Sequence, residues 1–277
     1  MSYNLNPPAL PEFALPGFAI VSVEGPDATR FMHAQSMNDI AGLAVMGWHL
    51  DGWLTPQGRV IALFAVVKLS EERLLLVTPA DGAAALVTGL QRFVFRSKVK
   101  LTTLPAGRVT GAFADLPAGT RAQVTDDGVY LRWLGDARSL GLHLTENGVR
   151  EDPTQEAAWA LQDLQAGLPW ISAASEPHWT PQQLSLERWP AFSVKKGCYP
   201  GQEIVARTHF LGKGKRRLYR VRWSEAPEVQ NDPTLVQGIG QEALCVLPMD
   251  AKDHPAHICG ADFSVLPFAP ERDSNQQ

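Results

Sequence analysis

Thirteen consecutive residues, Lys195-Lys196-Gly197-Cys198-Tyr199-Pro200-Gly201-Gln202-Glu203-Ile204-Val205-Ala206-Arg207, hold the densest chemistry of the 277-residue chain. Gly197 and Gly201 flank the cysteine and allow a tight loop that a ligand can approach closely. The residues from Gln202 onward are helix formers, so Cys198 sits just ahead of a helix N-terminus. Lys195, Lys196 and Arg207 lie near it in sequence. A helix N-terminus and nearby cations both favour thiolate over thiol. This setting predicts a reactive or ligating thiol at Cys198, with Lys196 and Arg207 as its electrostatic neighbours, rather than an inert cysteine on a glycine turn. Glu203 has two readings. It is a salt-bridge partner, or it accepts hydrogen bonds from a ligand, since an ionised carboxylate only accepts.

The charge around this segment is lopsided. Residues 195–222 hold nine Lys/Arg and one acid, Glu203, while the rest of the chain has 16 bases against 28 acids. The net charge of −4 argues against a general nucleic-acid binder, yet the local basic field points to an anionic ligand or partner. Lys213, Lys215, Arg216 and Arg217 are candidates for carboxylates or phosphates. The aromatic interleaving expected for single-stranded nucleic acid is missing from that run, so no stable nucleic-acid contact is expected. No run of 18 apolar residues or secretory leader is visible, and three cysteines are too few for a disulfide framework, which points to a cytoplasmic setting.

The elements that must position these residues follow from pattern. Strands are expected at Phe18–Val23, Val45–Trp53, Arg59–Val67 and Arg73–Thr78, with a β-turn at Thr55-Pro56-Gln57-Gly58. Gly25-Pro26-Asp27 opens a helix with Pro26 at its first position, and another helix follows Pro79. Short strands fill Lys98–Leu144. Asp152 and Gln155 resemble a capping box for a helix that Gly167 stops. Leu218, Arg220 and Arg222 alternate with Arg217, Tyr219, Val221 and Trp223 as a strand, and short strands run to about Phe268. Strands and helices alternate irregularly, which favours α+β with a small C-terminal β-barrel.

Other constellations carry less. On the helix 153–166, a 100° wheel gathers Ala157, Ala158, Leu161, Leu164 and Gln165 on one side and leaves Trp159 on the other with Gln155 and Gln162. A large aromatic on a polar face is a stacking candidate for a flat ligand, against packing under the segment Trp170–Trp189. Cys245, His254, His257 and Cys259 are zinc-type residues at a non-standard spacing and read better as ordinary residues of the small barrel. A cysteine nucleophile needs a base. His209 is the histidine nearest to Cys198 in sequence, with a helix between them.

Lys196-Gly197-Cys198-Tyr199, Gly201-Gln202-Glu203 and Arg207 together resemble the signature of the YgfZ-type folate-binding proteins, relatives of the glycine-cleavage aminomethyltransferases. Gly25-Pro26-Asp27-Ala28 through Gln35 and Asp39 resembles a helix of that family. Pro56-Gln57-Gly58-Arg59 resembles its turn, Phe95-Arg96-Ser97-Lys98-Val99 a strand, and Gly167-Leu168-Pro169 and Pro181-Gln182-Gln183-Leu184 two further elements. The resemblance covers roughly residues 18–220.

It implies an aminomethyltransferase-like fold around a central hole, with tetrahydrofolate bound there. The domains expected are 1–110, a folate-binding unit; 111–207, carrying the cysteine motif; and 208–277, the barrel. Trp159 and Phe18 are the implied folate contacts, with Gly197, Gly201, Gln202 and Glu203 lining the site, and no metal. The resemblance further implies an accessory role in iron–sulfur cluster assembly or repair with effects on tRNA modification, in partnership with iron–sulfur proteins or their assembly machinery. The alternatives are a folate-dependent aminomethyltransferase-like enzyme and a non-catalytic folate sensor or scaffold. The stretch Gly58–Phe64 lacks the carboxylate that the transferase chemistry needs to move a proton.

Overall fold

The structure is a computed structural model that describes residues 10–116, 122–135, 137–146, 148–212, 214–228 and 232–269. Lys213, one of the basic candidates, lies outside them. In chain order the elements are β1 (Phe13–Ala14), β2 (Phe18–Glu24), α1 (Ala28–Gln35), β3 (Trp48–Leu54), β4 (Val60–Ser70), β5 (Arg73–Pro79), α2 (Ala83–Gln91), β6 (Lys100–Thr103) and β7 (Val109–Ala112). There follow β8 (Ala122–Val124), β9 (Gly128–Arg132), β10 (Ser139–His143), α3 (Pro153–Ala166), α4 (Gln202–Leu211), β11 (Arg216–Trp223), β12 (Leu235–Ile239), β13 (Glu242–Pro248) and β14 (Phe263–Leu266). No helix among the described residues is long and apolar enough to cross a membrane.

Three antiparallel sheets result, in the orders β3-β4-β5-β2-β6, β1-β7-β10-β9-β8 and β12-β13-β11-β14. The architecture is α+β. The C-terminal unit is a four-stranded antiparallel sheet with β12 and β14 as its ends. The central strand β4 explains how the first sheet is held. Its sequence is an almost unbroken apolar run, because both of its faces are covered. Leu63, Ala65 and Val67 enter one core, while Ala62, Phe64 and Val66 enter a second core with Leu86 and Leu90 of α2. The first of these cores also takes Val129, Leu131, Leu140 and Leu142 from the second sheet and Leu218, Leu244 and Val246 from the third. One apolar centre therefore joins all three sheets.

The expected helix caps are present at α3. Asp152 accepts from the Thr154 and Gln155 backbone N–H groups at 3.1 Å each, Pro153 opens the helix, and Gly167 ends it at φ 77°. The expected face of α3 is only partly kept: Leu164 is buried and Gln162 exposed, but Ala157 is exposed while Trp159, Asp163 and Ala166 are buried, and Trp159 keeps only 1% of its surface. The wheel gave weight to small alanines, whereas the fold buries the largest ring and pairs the one carboxylate beside it. Pro26 precedes the cap residue Asp27 instead of opening the first turn. Phe95–Val99 is not a strand but the hydrogen-bonded connection between α2 and β6.

Candidate functional site

The cysteine loop is built on buried anchors. The Ser193 hydroxyl accepts from the backbone N–H groups of Lys195 and Lys196 at 3.2 Å each, and Ser193 N–H donates to Met37 O. Lys196 then turns inward and is 7% exposed. Its ammonium donates to Ser36 O at 2.7 Å, to Asn38 O at 2.8 Å and to His33 O. These carbonyls lie in the last turn of α1 and just beyond it, where backbone acceptors lack helical donors and the dipole favours a cation. Three donors meet three acceptors. Burial lowers the Lys196 pKa to about 8, against the opposing pull of Asp51 and Asp39. The sequence expects Lys196 as an electrostatic neighbour of Cys198; in the fold its ammonium bonds to the carbonyls at the end of α1.

Tyr199 is the second anchor. It is buried, its hydroxyl donates to Ser193 O at 3.0 Å, and the Lys196 ammonium lies 5.0 Å from its ring centroid. Between these anchors Gly197 and Cys198 are exposed, and Gly197 faces open space. Gln202 folds back to donate to Lys196 O at 3.1 Å, so it braces the loop. Gly201, at φ 79°, packs on the turn at Thr55–Gly58, where Thr55 O would stand 2.6 Å from a Cβ. Glu203 points outward and binds Arg207 at 2.8 Å across one helical turn, both more than half exposed. Of the two readings of Glu203, the structure shows the salt bridge. Arg207 is thereby partnered on the surface of α4. His209 lies seven residues into that helix, about 10 Å along its axis from Gln202, so it is no neighbour of Cys198.

The second feature is a set of tryptophans where the sheets converge. Trp133 stacks on Trp48 at 5.2 Å between centroids and on Trp170 at 6.1 Å, with Trp159 stacked at 6.4 Å. Phe18 meets Trp170 edge to face at 4.8 Å. Asp163 organises the group. It is 1% exposed, pairs with Arg138 at 2.8 Å, and accepts from the indoles of Trp133 at 3.3 Å and Trp170 at 3.0 Å. The Arg138 guanidinium lies 4.6 Å from the Trp159 ring. Trp159 also touches Phe13 and Phe113, and its indole Nε1 has no hydrogen-bond partner. Phe18, Trp48, Phe113 and Trp170 are the partly exposed rings of the set. The sequence names Trp170 only as the start of the segment that Trp159 packs under in the alternative reading, and it misses Trp48, Trp133 and the Arg138–Asp163 pair. Its signal was the unusual count of eight tryptophans, not any one position.

The basic window is partly neutralised. Glu242, twenty residues beyond it, takes Arg220 at 2.7 Å and Arg222 at 2.6 Å. Burial pushes the Glu242 carboxyl up, but the two arginines outweigh it and hold it below the usual carboxylate range. Lys215, Arg216 and Arg217 remain exposed, and Arg217 stacks on Tyr219 and lines a cleft of about 480 Å³ with Arg188, Arg220 and Phe268. Among the described residues no three His, Cys, Asp or Glu side chains converge as a metal site. Cys245 is fully buried and burial pushes its thiol up. The His254 ring bonds to Pro248 O, and His257 pairs with Asp262.

A carboxylate does lie near the stretch that lacks one. Asp51 on β3 pairs in register with Phe64 of β4 and is fully buried. It accepts from the Ser36 hydroxyl at 2.7 Å and the Asn38 backbone at 2.8 Å, so it fastens the segment that receives Lys196.

No protein-family model matches the chain. It is 28% identical over 222 residues to an uncharacterized protein of Haemophilus influenzae, covering 79% of this chain and 76% of that one. It is 24% identical over 271 residues to the tRNA-modifying protein YgfZ of Enterobacter sp. strain 638, covering 86% and 83%. Its fold is similar to the crystal structure of glycine cleavage system aminomethyltransferase T from Bartonella henselae, with a TM-score of 0.65 and 17% identity over 93% of this chain and 86% of that one. Sequence and architecture together show that the chain resembles the YgfZ-type proteins, on the fold of the aminomethyltransferases.

Proposed function

We propose that this chain is a tetrahydrofolate-binding accessory protein that supports iron–sulfur cluster assembly or repair, with effects on tRNA modification, and that Cys198 is its working thiol. The observation that carries this reading is the exposed thiol held between two buried anchors, Lys196 and Tyr199. Lys196 and Tyr199 fix the loop on either side of Gly197 and Cys198, so the sulfur is presented to solvent from a held backbone. One thiolate does not hold a cluster, which takes four ligands or close substitutes. Cys245 is locked in the core of the third sheet. Cys259 is partly exposed but supplies at most one more thiolate, so further ligands come from an iron–sulfur protein or a second copy of the chain.

The tryptophan set fits a pterin. It offers flat apolar faces with partly exposed edges at Phe18, Trp48 and Trp170 and one unmet donor, Trp159 Nε1. In this arrangement Phe18 and Trp170 touch the ring, while Trp159 forms the wall behind them. The exposed bases Lys215, Arg216 and Arg217 are suited to the glutamate carboxylates. When bound, the folate supplies amine nitrogens able to carry a one-carbon unit. The name of the Enterobacter relative supports the tRNA-modification context. The transferase alternative fares worse, because β4 has no carboxylate and the oxygens of Asp51 are already bonded.

Tryptophan fluorescence titrated with tetrahydrofolate tests the ligand. Saturable quenching that weakens in Trp170→Phe and Phe18→Ala is expected; absence of quenching and of calorimetric heat sinks the folate reading. Cys198→Ser separates the roles. It should abolish support of an iron–sulfur tRNA-thiolating enzyme in cells at unchanged folate affinity. Full support by that variant would leave a folate-binding scaffold.

A further inference from the structure

Between Asp81 and Asp115 the chain has no acidic residue, yet it carries five bases. Four of them, Arg92, Arg96, Lys98 and Lys100, fall on the connection from α2 to the start of β6, and all four are exposed. None has an ion-pair partner among the described residues. Two aromatic rings stand among them. Phe95 is 88% exposed, the most exposed large apolar side chain of the described chain, and Phe93 is 42% exposed. Single exposed apolar residues are common, but a ring at this exposure, flanked by unpaired bases, is not.

The backbone beneath is built, not loose. The N–H groups of Arg92, Phe93 and Val94 donate to the carbonyls of Gly89, Leu90 and Gln91. Lys98 N–H donates to the Asp27 carboxylate at 2.7 Å, and Val99 N–H donates to Ser97 O. Gly25 is packed so closely on Lys98 O that no side chain fits there. Val94 and Val99 pack on the second core, and Phe93 leans edge-on against Trp53. Phe95 is thus held outward by its neighbours. The dipole of α2 accounts for Arg92 at its end, but not for the three bases beyond it.

We propose that this surface docks single-stranded RNA, with a base stacked on Phe95 and phosphates met by Arg92, Arg96, Lys98 and Lys100. Exposed aromatics interleaved with bases are the elements of sequence-tolerant strand binding. Lysines act well as point charges toward phosphate but are depleted from the cores of protein interfaces. The expectation of no stable nucleic-acid contact rested on the net charge and on Lys213–Arg217, which lacks aromatics; this surface has both charge and rings. The inference goes beyond the folate reading and uses none of its residues.

Fluorescence anisotropy with a labelled oligo(A) of about 20 nucleotides tests it, in parallel with a duplex of the same length. The single strand should bind better. Phe95→Ala should weaken it about tenfold, and Phe95→Leu similarly, since leucine keeps the apolar surface but not the π-face. Arg96→Ala with Lys98→Ala should reduce the slope of log affinity against log salt by about 1.4, at about 0.7 per phosphate contact. Thermal melting should be unchanged in the Phe95 variants. Any of four results overturns the proposal: no binding at about 50 mM salt, equal binding of the duplex, wild-type affinity in Phe95→Leu, or competition by polyglutamate as effective as RNA at matched charge.

Discussion

Gly58 and Gly201 meet backbone to backbone: a Cβ on Gly201 would lie 2.7 Å from the Gly58 Cα. Both have positive φ, 72° and 79°. The contact docks the cysteine loop of α4 onto the turn between β3 and β4, two segments more than 140 positions apart that the sequence singled out separately. Side chains fail at Gly201 twice, through the left-handed backbone and through collision with Thr55 O and Gly58. Gly201→Ala should cost about 2 kcal/mol or more in urea unfolding, from the left-handed penalty and the displaced turn. A loss below half of that would mean the two segments separate without consequence.

The three cysteines should differ sharply toward a bulky disulfide reagent. Cys198 is exposed, Cys259 partly exposed and Cys245 fully buried, with its thiol pushed up by burial. Thiolate fraction and access set the rate. The native protein should show one fast phase that Cys198→Ser removes, and Cys245 should react only on unfolding. A fast phase that survives in Cys198→Ser would show that the loop does not present its sulfur.

The cysteine loop, α4, the caps of α3 and most strands were legible because their signals are local. Glycines, an N-cap aspartate and apolar alternation act within a few residues. The partners were not legible, because they depend on folding. Lys196 looks like one base among nine, and only the chain reversal that brings α1 beneath it shows that it is a buried anchor. Glu242 cancels two arginines from a strand that sequence cannot register. Trp159 was singled out, but on the wrong face, because a wheel ranks hydrophobicity and cannot see that Asp163 is satisfied inside by Arg138 and two indoles.

Lys196 makes a pH prediction with a definite sign. Its pKa is near 8 in the fold and 10.5 as the ordinary value, so between those values the unfolded chain binds more protons than the folded one. The contribution of this group to stability therefore rises with pH through that window, by no more than about 1.4 kcal/mol per pH unit. Cys245, whose thiol burial pushes up from the ordinary value of 9.0, and Tyr130, raised to about 12 by burial from 10.0, act oppositely, so the Lys196 contribution is read as the difference between wild type and variant. Lys196→Met should lose the rise between about pH 8 and 9.5. It should also be less stable at pH 7, since the carbonyls of Ser36 and Asn38 lose their donor. Parallel pH slopes in wild type and variant would remove the assigned cause.

Asp163 should be the costliest single carboxylate to alter. It is buried with Arg138, and removing one member of such a pair leaves an uncompensated charge, at about 3–5 kcal/mol. Asp163→Asn keeps an acceptor but not the charge, so Arg138 is stranded over the Trp159 ring. Asp163→Leu combined with Arg138→Met should cost less than the sum of the single substitutions, because the desolvation of both charges disappears together. The stacked indoles supply a second readout. Trp133 and Trp170 lose a shared acceptor in Asp163→Leu, so the near-ultraviolet circular dichroism of the tryptophan set should change even where the chain stays folded. Additive stabilities with an unchanged spectrum would mean that the carboxylate does not organise the rings, and the folate surface would then need another support.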